Sequence, residues 1–167
     1  MRAVLMAVAL MAGSCASANA QVLDVPNSLW RTHTEHLVSD RAAVHACLVA
    51  GEGGCESLIQ TACLRAYDED SRVPALARQC DWRAIAAWED EILAMLARLR
   101  SKLGGDNLRN LNDSEAAWER SMLADVGLGM DYYAGGSISG PIGAHIRARA
   151  AAQRAVYLYE IQQMVNE

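Results

Sequence analysis

The chain has 167 residues, 52% hydrophobic and 21% charged, and its 15 Lys and Arg against 20 Asp and Glu give a net charge of −5. That length suits one domain able to bury a core, and an acidic balance without a basic cluster argues against nucleic acid as a partner. It favours cationic partners instead, through long-range steering more than contact energy.

In chain order, the first element is an address. Residues 1–20 read as a secretory signal peptide: Arg2, an apolar run from Ala3 to Ala12, then small residues ending Ala18-Asn19-Ala20 before Gln21. The run falls well short of the roughly 20 apolar residues a membrane-spanning helix needs, so no membrane span is expected. Cleavage after Ala20 removes one positive charge, takes the net charge from −5 to −6, and leaves residues 21–167 as a single periplasmic domain. A rival reading makes Cys15 the anchor of a lipoprotein, although Ala12 stands where a larger aliphatic residue is usual.

Pro26-Asn27-Ser28 marks a helix start, and Ser39-Asp40 marks another before Arg41 to Ala50. The glycines at 51, 53 and 54 stop that segment, Cys55 to Ala66 forms a short helix, and Asp68 to Ser71 is a solvated acidic turn. From Pro74, the residues Trp82, Ile85, Trp88, Ile92, Leu96, Leu99 and Leu103 recur every three or four positions, as one face of a long helix requires, and Gly104-Gly105 ends it. Asn107 or Asn112-Asp113 then caps a second long helix, with Leu111, Trp118, Met122 and Val126 on its core side and Gly127 and Gly129 weakening its end. A third takes Ile142, Ile146, Ala150, Gln153, Tyr157, Ile161 and Met164 as its stripe. No segment alternates with the two-residue period of a strand, so the expected fold is all-α, a small helical bundle.

Four cysteines follow the signal peptide: Cys47, Cys55, Cys63 and Cys80. An even number in a small exported domain predicts two disulfides that staple the bundle. Three pairings are possible. The glycine-rich return at 51–54 favours Cys47 with Cys55, leaving Cys63 with Cys80.

Catalytic chemistry finds little support. Ser137 and His145 are the one Ser and His close together across a flexible stretch, but they lack the G-x-S-x-G spacing of a nucleophile elbow. His33 and His36 share a helical face without a specified third ligand, and the cysteine spacing fits no zinc pattern, so neither metal nor cofactor is expected. Carboxylates such as Glu89, Asp90 and Glu91 read as solvated helix surface rather than an acid pair across a cleft. The chain therefore reads as a non-enzyme.

Residues 111–158 resemble the N-terminal-domain pattern of the lysozyme-inhibitor LprI-like family of bacterial envelope proteins. The resemblance rests on Leu111, Ala116-Ala117-Trp118, Tyr133-Ala-Gly-Gly-Ser137-Ile138 and the Arg-bearing helix Arg147 to Leu158, together with Cys47, Cys55, Cys80 and Trp88-Glu89 upstream. Where relatives carry Arg-Asp and then a Cys, this chain has Met122-Leu123 and Val126, and their second C-terminal Cys is also absent. The resemblance implies a periplasmic, non-enzymatic protein that binds a cationic lysozyme-type muramidase and inhibits it by covering the substrate cleft. A structural or stress-related envelope module without inhibitory activity accounts for the same features.

The stretch Met130 to Pro141 reads first as a chain reversal: Gly135 and Gly136 permit positive φ, Ser137 or Ser139 caps the next helix, and Pro141 suits its first turn. It is also the candidate binding loop, with Tyr132, Tyr133, Ser137 and Ser139 as recognition residues. An intact mass measured on protein from a periplasmic extract is expected to match a chain beginning at Gln21; a diacylated Cys15 would overturn that assignment.

Overall fold

The computed structural model describes residues 27–51, 54–67, 74–134 and 136–166, with the backbone alone at 27–35. The signal peptide, Cys15, the acidic turn at 68–71, Gly135 and the side chains of Trp30 and His33 lie outside what is described. Among the described residues every regular element is helical: α1 (Asn27–Ala50), a 3-10 turn (Cys55–Ser57), α2 (Leu58–Ala66), α3 (Pro74–Lys102), α4 (Gly105–Tyr132) and α5 (Ser139–Asn166). None of these helices is long and apolar enough to cross a membrane.

The predicted stripe of α3 is the axis of the core. Ile85, Trp88, Ile92, Leu96 and Leu99 are buried, joined by Ala84, Ala87 and Met95. α3 packs against α1 and α2 as well as α5, and α5 carries α4, so the helices succeed one another as α1 with α2, then α3, α5 and α4. An element packed on two sides must bury more than one stripe.

α5 shows the consequence. The expected stripe through Gln153, Tyr157 and Met164 is exposed, and Ile142, Ile146, Ala150 and Ile161 are only half-buried. The buried residues are Gly143, Ala144, Ala148, Ala151, Ala152, Arg154, Ala155 and Leu158. Small side chains set how closely two helix axes approach, and a helix wedged between neighbours gains from short ones. Hydropathy favoured the isoleucines, whereas burial followed the alanines.

Both disulfides form with the pairing the sequence favoured, Cys47 with Cys55 and Cys63 with Cys80, at Cα separations of 5.8 and 5.5 Å. Gly51 and Gly54 adopt positive φ of 65° and 95°, a conformation that a side chain disfavours, and so bring the end of α1 back to Cys55. The second disulfide pins α2 to α3. Each contributes roughly 2–4 kcal/mol by restricting the unfolded chain.

Two expected helix starts are interior positions instead. α1 runs unbroken through Ser39-Asp40, because Ser39 Oγ donates to the His36 carbonyl at 2.9 Å and buried Asp40 accepts both Nε and Nη2 of Arg83. α4 begins directly at Gly105 without a side-chain cap, leaving Asn107 and Asn112-Asp113 inside the helix. Gly127 and Gly129 lie in the last two turns of α4, which continues to Tyr132.

Gly129 and Gly143 have a packing role. A Cβ on Gly129 would collide with Ile146 Cδ1, and one on Gly143 would lie 2.9 Å from both Cγ and Sδ of Met130. Gly127 has nothing within 4 Å. Gly143→Val is therefore expected to lower stability by about 1–3 kcal/mol through overpacking, and Gly127→Ala to raise it by about 0.5–1 kcal/mol through helix entropy. Urea denaturation of the two variants checks both signs.

Candidate functional site

α4 reaches the tip of the bundle at Tyr132 and reverses through a chain of tight turns. Ala134 N donates to Asp131 O at 3.1 Å, Gly136 N to Tyr133 O at 3.1 Å, and Ser139 N to Gly136 O at 3.4 Å. Pro141 falls in the first turn of α5, as the sequence suggested. Other details of the turn differ from expectation. Gly136 does not take positive φ, and the Ser139 hydroxyl donates to the Gly136 carbonyl at 3.2 Å, so it braces the turn instead of accepting from the helix N-terminus. Ser137 is exposed.

The tyrosines project from this tip. Tyr132 is 81% exposed and Tyr133 41%, and their rings meet edge to face with centroids 4.9 Å apart. Leu128, 72% exposed, lies one turn before Tyr132, and exposed Ile138 follows in the loop. Between Arg120 and Arg147 the chain carries Asp125 and Asp131 and no Lys or Arg, so the tip combines apolar rings with negative charge. Arg78 of α3 borders it beside Gly140. All four candidate residues thus share one end of the molecule, with the aromatic pair presented to solvent and the serines within the turn.

A second set of side chains escaped the sequence reading. Glu91 was expected on a solvated surface, yet it is 1% exposed. Its Oε1 lies 3.0 Å from His45 Nδ1 and accepts from Arg98 Nη2 at 3.2 Å, while Arg41 Nε approaches Oε2 at 3.5 Å. Asp90 takes Arg41 Nη1 at 2.9 Å, and these groups line a cavity of about 580 Å³ between α1 and α3. The register held a clue: Glu91 lies three residues after Trp88 and four before Met95, within the buried face.

Asp81 is the third buried carboxylate. It accepts from Gln60 Nε2 of α2, and His145 Nδ1 of α5 lies 3.4 Å away, so one side chain of α3 joins two neighbouring helices. Burial raises its pKa from 3.8 to about 6, with the nearby imidazole opposing the rise. His145 therefore faces Asp81 and Gln60, and Ser137 has no part in that cluster. Further along α5, Arg147 donates to Glu89 at 2.7 Å, and Arg154 pairs with Glu115. Among the described residues no cluster of three or more His, Cys, Asp or Glu side chains is placed to hold a metal ion.

Comparison with protein-family models, curated proteins and solved structures finds no match.

The raised pKa of Asp81 means that the folded state holds its proton more tightly than the unfolded chain. Its contribution to stability is greatest below the unfolded pKa and is lost as pH rises from about 4 through about 6. Asp81→Asn is expected to remove that loss, gaining on the order of 2 kcal/mol relative to wild type at neutral pH and little at pH 4. Chemical denaturation of both proteins across this window checks the sign; a larger deficit of the variant at neutral pH would contradict it.

Proposed function

We propose that this chain is an exported, non-enzymatic binding protein of the bacterial envelope that captures a cationic partner with the tip between α4 and α5. The LprI-like resemblance suggests a lysozyme-type muramidase as that partner, inhibited by occlusion of its substrate cleft. The observation that carries the reading is the exposed pair Tyr132 and Tyr133 beside Leu128, Asp125 and Asp131, in a stretch without Lys or Arg. Rigid amphipathic rings desolvate well against a protein surface, and the aspartates steer a basic partner toward them. Export is supported by the two disulfides, which belong to chains that mature in an oxidising compartment.

The test is clearing of a peptidoglycan suspension by the purified protein alone and together with lysozyme. Protection from lysozyme is the expected outcome, clearing without lysozyme would make the protein a hydrolase, and no effect would favour a structural envelope module. The double variant Tyr132→Ala, Tyr133→Ala is expected to weaken protection by at least about 30-fold, as loss of a hot spot of about 2 kcal/mol requires, with its helical circular dichroism and melting temperature nearly unchanged. A rim contact would leave protection within about fivefold of wild type.

A further inference from the structure

Beyond the tip, the flank of α4 facing α5 holds a second feature. Trp118, Ser121 and Asp125 face Gln153, Arg154 and Tyr157 across a cavity of about 300 Å³. Arg154 is only 9% exposed; its Nε donates to Glu115 Oε1 at 3.0 Å and its Nη2 to Ser114 Oγ at 2.9 Å. Its guanidinium carbon also lies 5.9 Å from the centroid of Trp118 and 5.0 Å from that of Tyr157. A buried, doubly anchored guanidinium thus sits over both rings, and both border the cavity, with Trp118 half-buried and Tyr157 47% exposed. The side chains of Ser121, Asp125 and Gln153 have no hydrogen-bond partner among the described residues.

From this arrangement we infer that the α4–α5 groove is a binding site for a neutral oligosaccharide. The C–H face of a pyranose ring needs a rigid aromatic platform, and its neighbouring hydroxyls need planar groups that donate and accept side by side. Trp118 and Tyr157 supply the first. Gln153 offers donor and acceptor together, Ser121 the same on one oxygen, and Asp125 an acceptor pair. An anionic ligand is disfavoured because Arg154, the cation among the described residues lining the groove, is already offset by Glu115, while the unpaired charge is Asp125. A cationic ligand gains little from rings whose quadrupoles already engage a guanidinium. The cavity lies at the small end of ligand sites, so one sugar unit occupies it and its neighbours extend along the open groove.

Titration of the purified, disulfide-bonded chain with a β-1,4-linked N-acetylglucosamine tetrasaccharide, followed by two-dimensional ¹H–¹⁵N NMR, tests the site. The indole N–H of Trp118, identified by its loss in Trp118→Phe, and the side-chain amide of Gln153 are expected to shift together and saturate at millimolar sugar. Gln153→Ala and Asp125→Asn, both at exposed positions, are each expected to weaken binding by about fivefold to tenfold. Absence of shifts up to about 50 mM sugar would overturn the site. So would wild-type affinity in both variants, or shifts produced by hexalysine and not by sugar, which would assign the groove to a basic peptide. The Tyr132→Ala, Tyr133→Ala variant is expected to bind sugar as wild type does, so failure of the tip as a protein-binding surface and failure of this groove read out separately.

Discussion

A carboxylate taken out of water must be met by a donor or a cation, and in this bundle that requirement ties the helices together. α3 carries most of the anchor points. Arg83 holds Asp40 of α1, Asp81 meets Gln60 of α2 and His145 of α5, Glu89 meets Arg147 of α5, and Glu91 gathers Arg41 and His45 from α1 with Arg98 from α3 itself. Glu115 with Arg154 repeats the device between α4 and α5. Apolar contacts tolerate sliding of one helix along another; a buried ion pair does not, since displacement strands both charges. The packing order of the helices is set by alanine, leucine and tryptophan, and their registers are held by these pairs.

The elements that local pattern alone determines were legible in the sequence. The stripe of α3 is long and regular, and the glycines between Cys47 and Cys55 identify the tighter disulfide because loop closure is a local event. What escaped depends on partners distant in the chain. Ser39-Asp40 has the chemistry of a cap, but Arg83 claims the aspartate from another helix. The stripe chosen for α5 assumed one covered side, whereas a helix between two neighbours buries its smallest residues. Glu91 looked solvated because composition weighs charge before register. At the tip, the turn, its proline and the projection of at least one of the adjacent tyrosines were readable; that Tyr132 is the more exposed of the two required the folded backbone.

Much less of α4 is covered than of α3 or α5. Leu111, Met122 and Val126 are its buried side chains, with Trp118 half-covered beside them. Ser121, Asp125, Leu128 and Tyr132 are exposed and succeed one another at spacings of four, three and four residues, so they follow a single flank open to recognition. The groove at Trp118 and the aromatic tip are two stations on that flank, about four turns apart.

The covalent staples are distributed unevenly. Both disulfides fall between Cys47 and Cys80, and no cysteine follows in the sequence. The molecule therefore has a disulfide-bearing half and a cysteine-free half. A reductant loosens the α1–α2 shoulder, where the crosslinks fence the unfolded chain, and leaves the α4–α5 hairpin chemically untouched. The candidate recognition surfaces sit on the half whose covalent structure is the same in either thiol state.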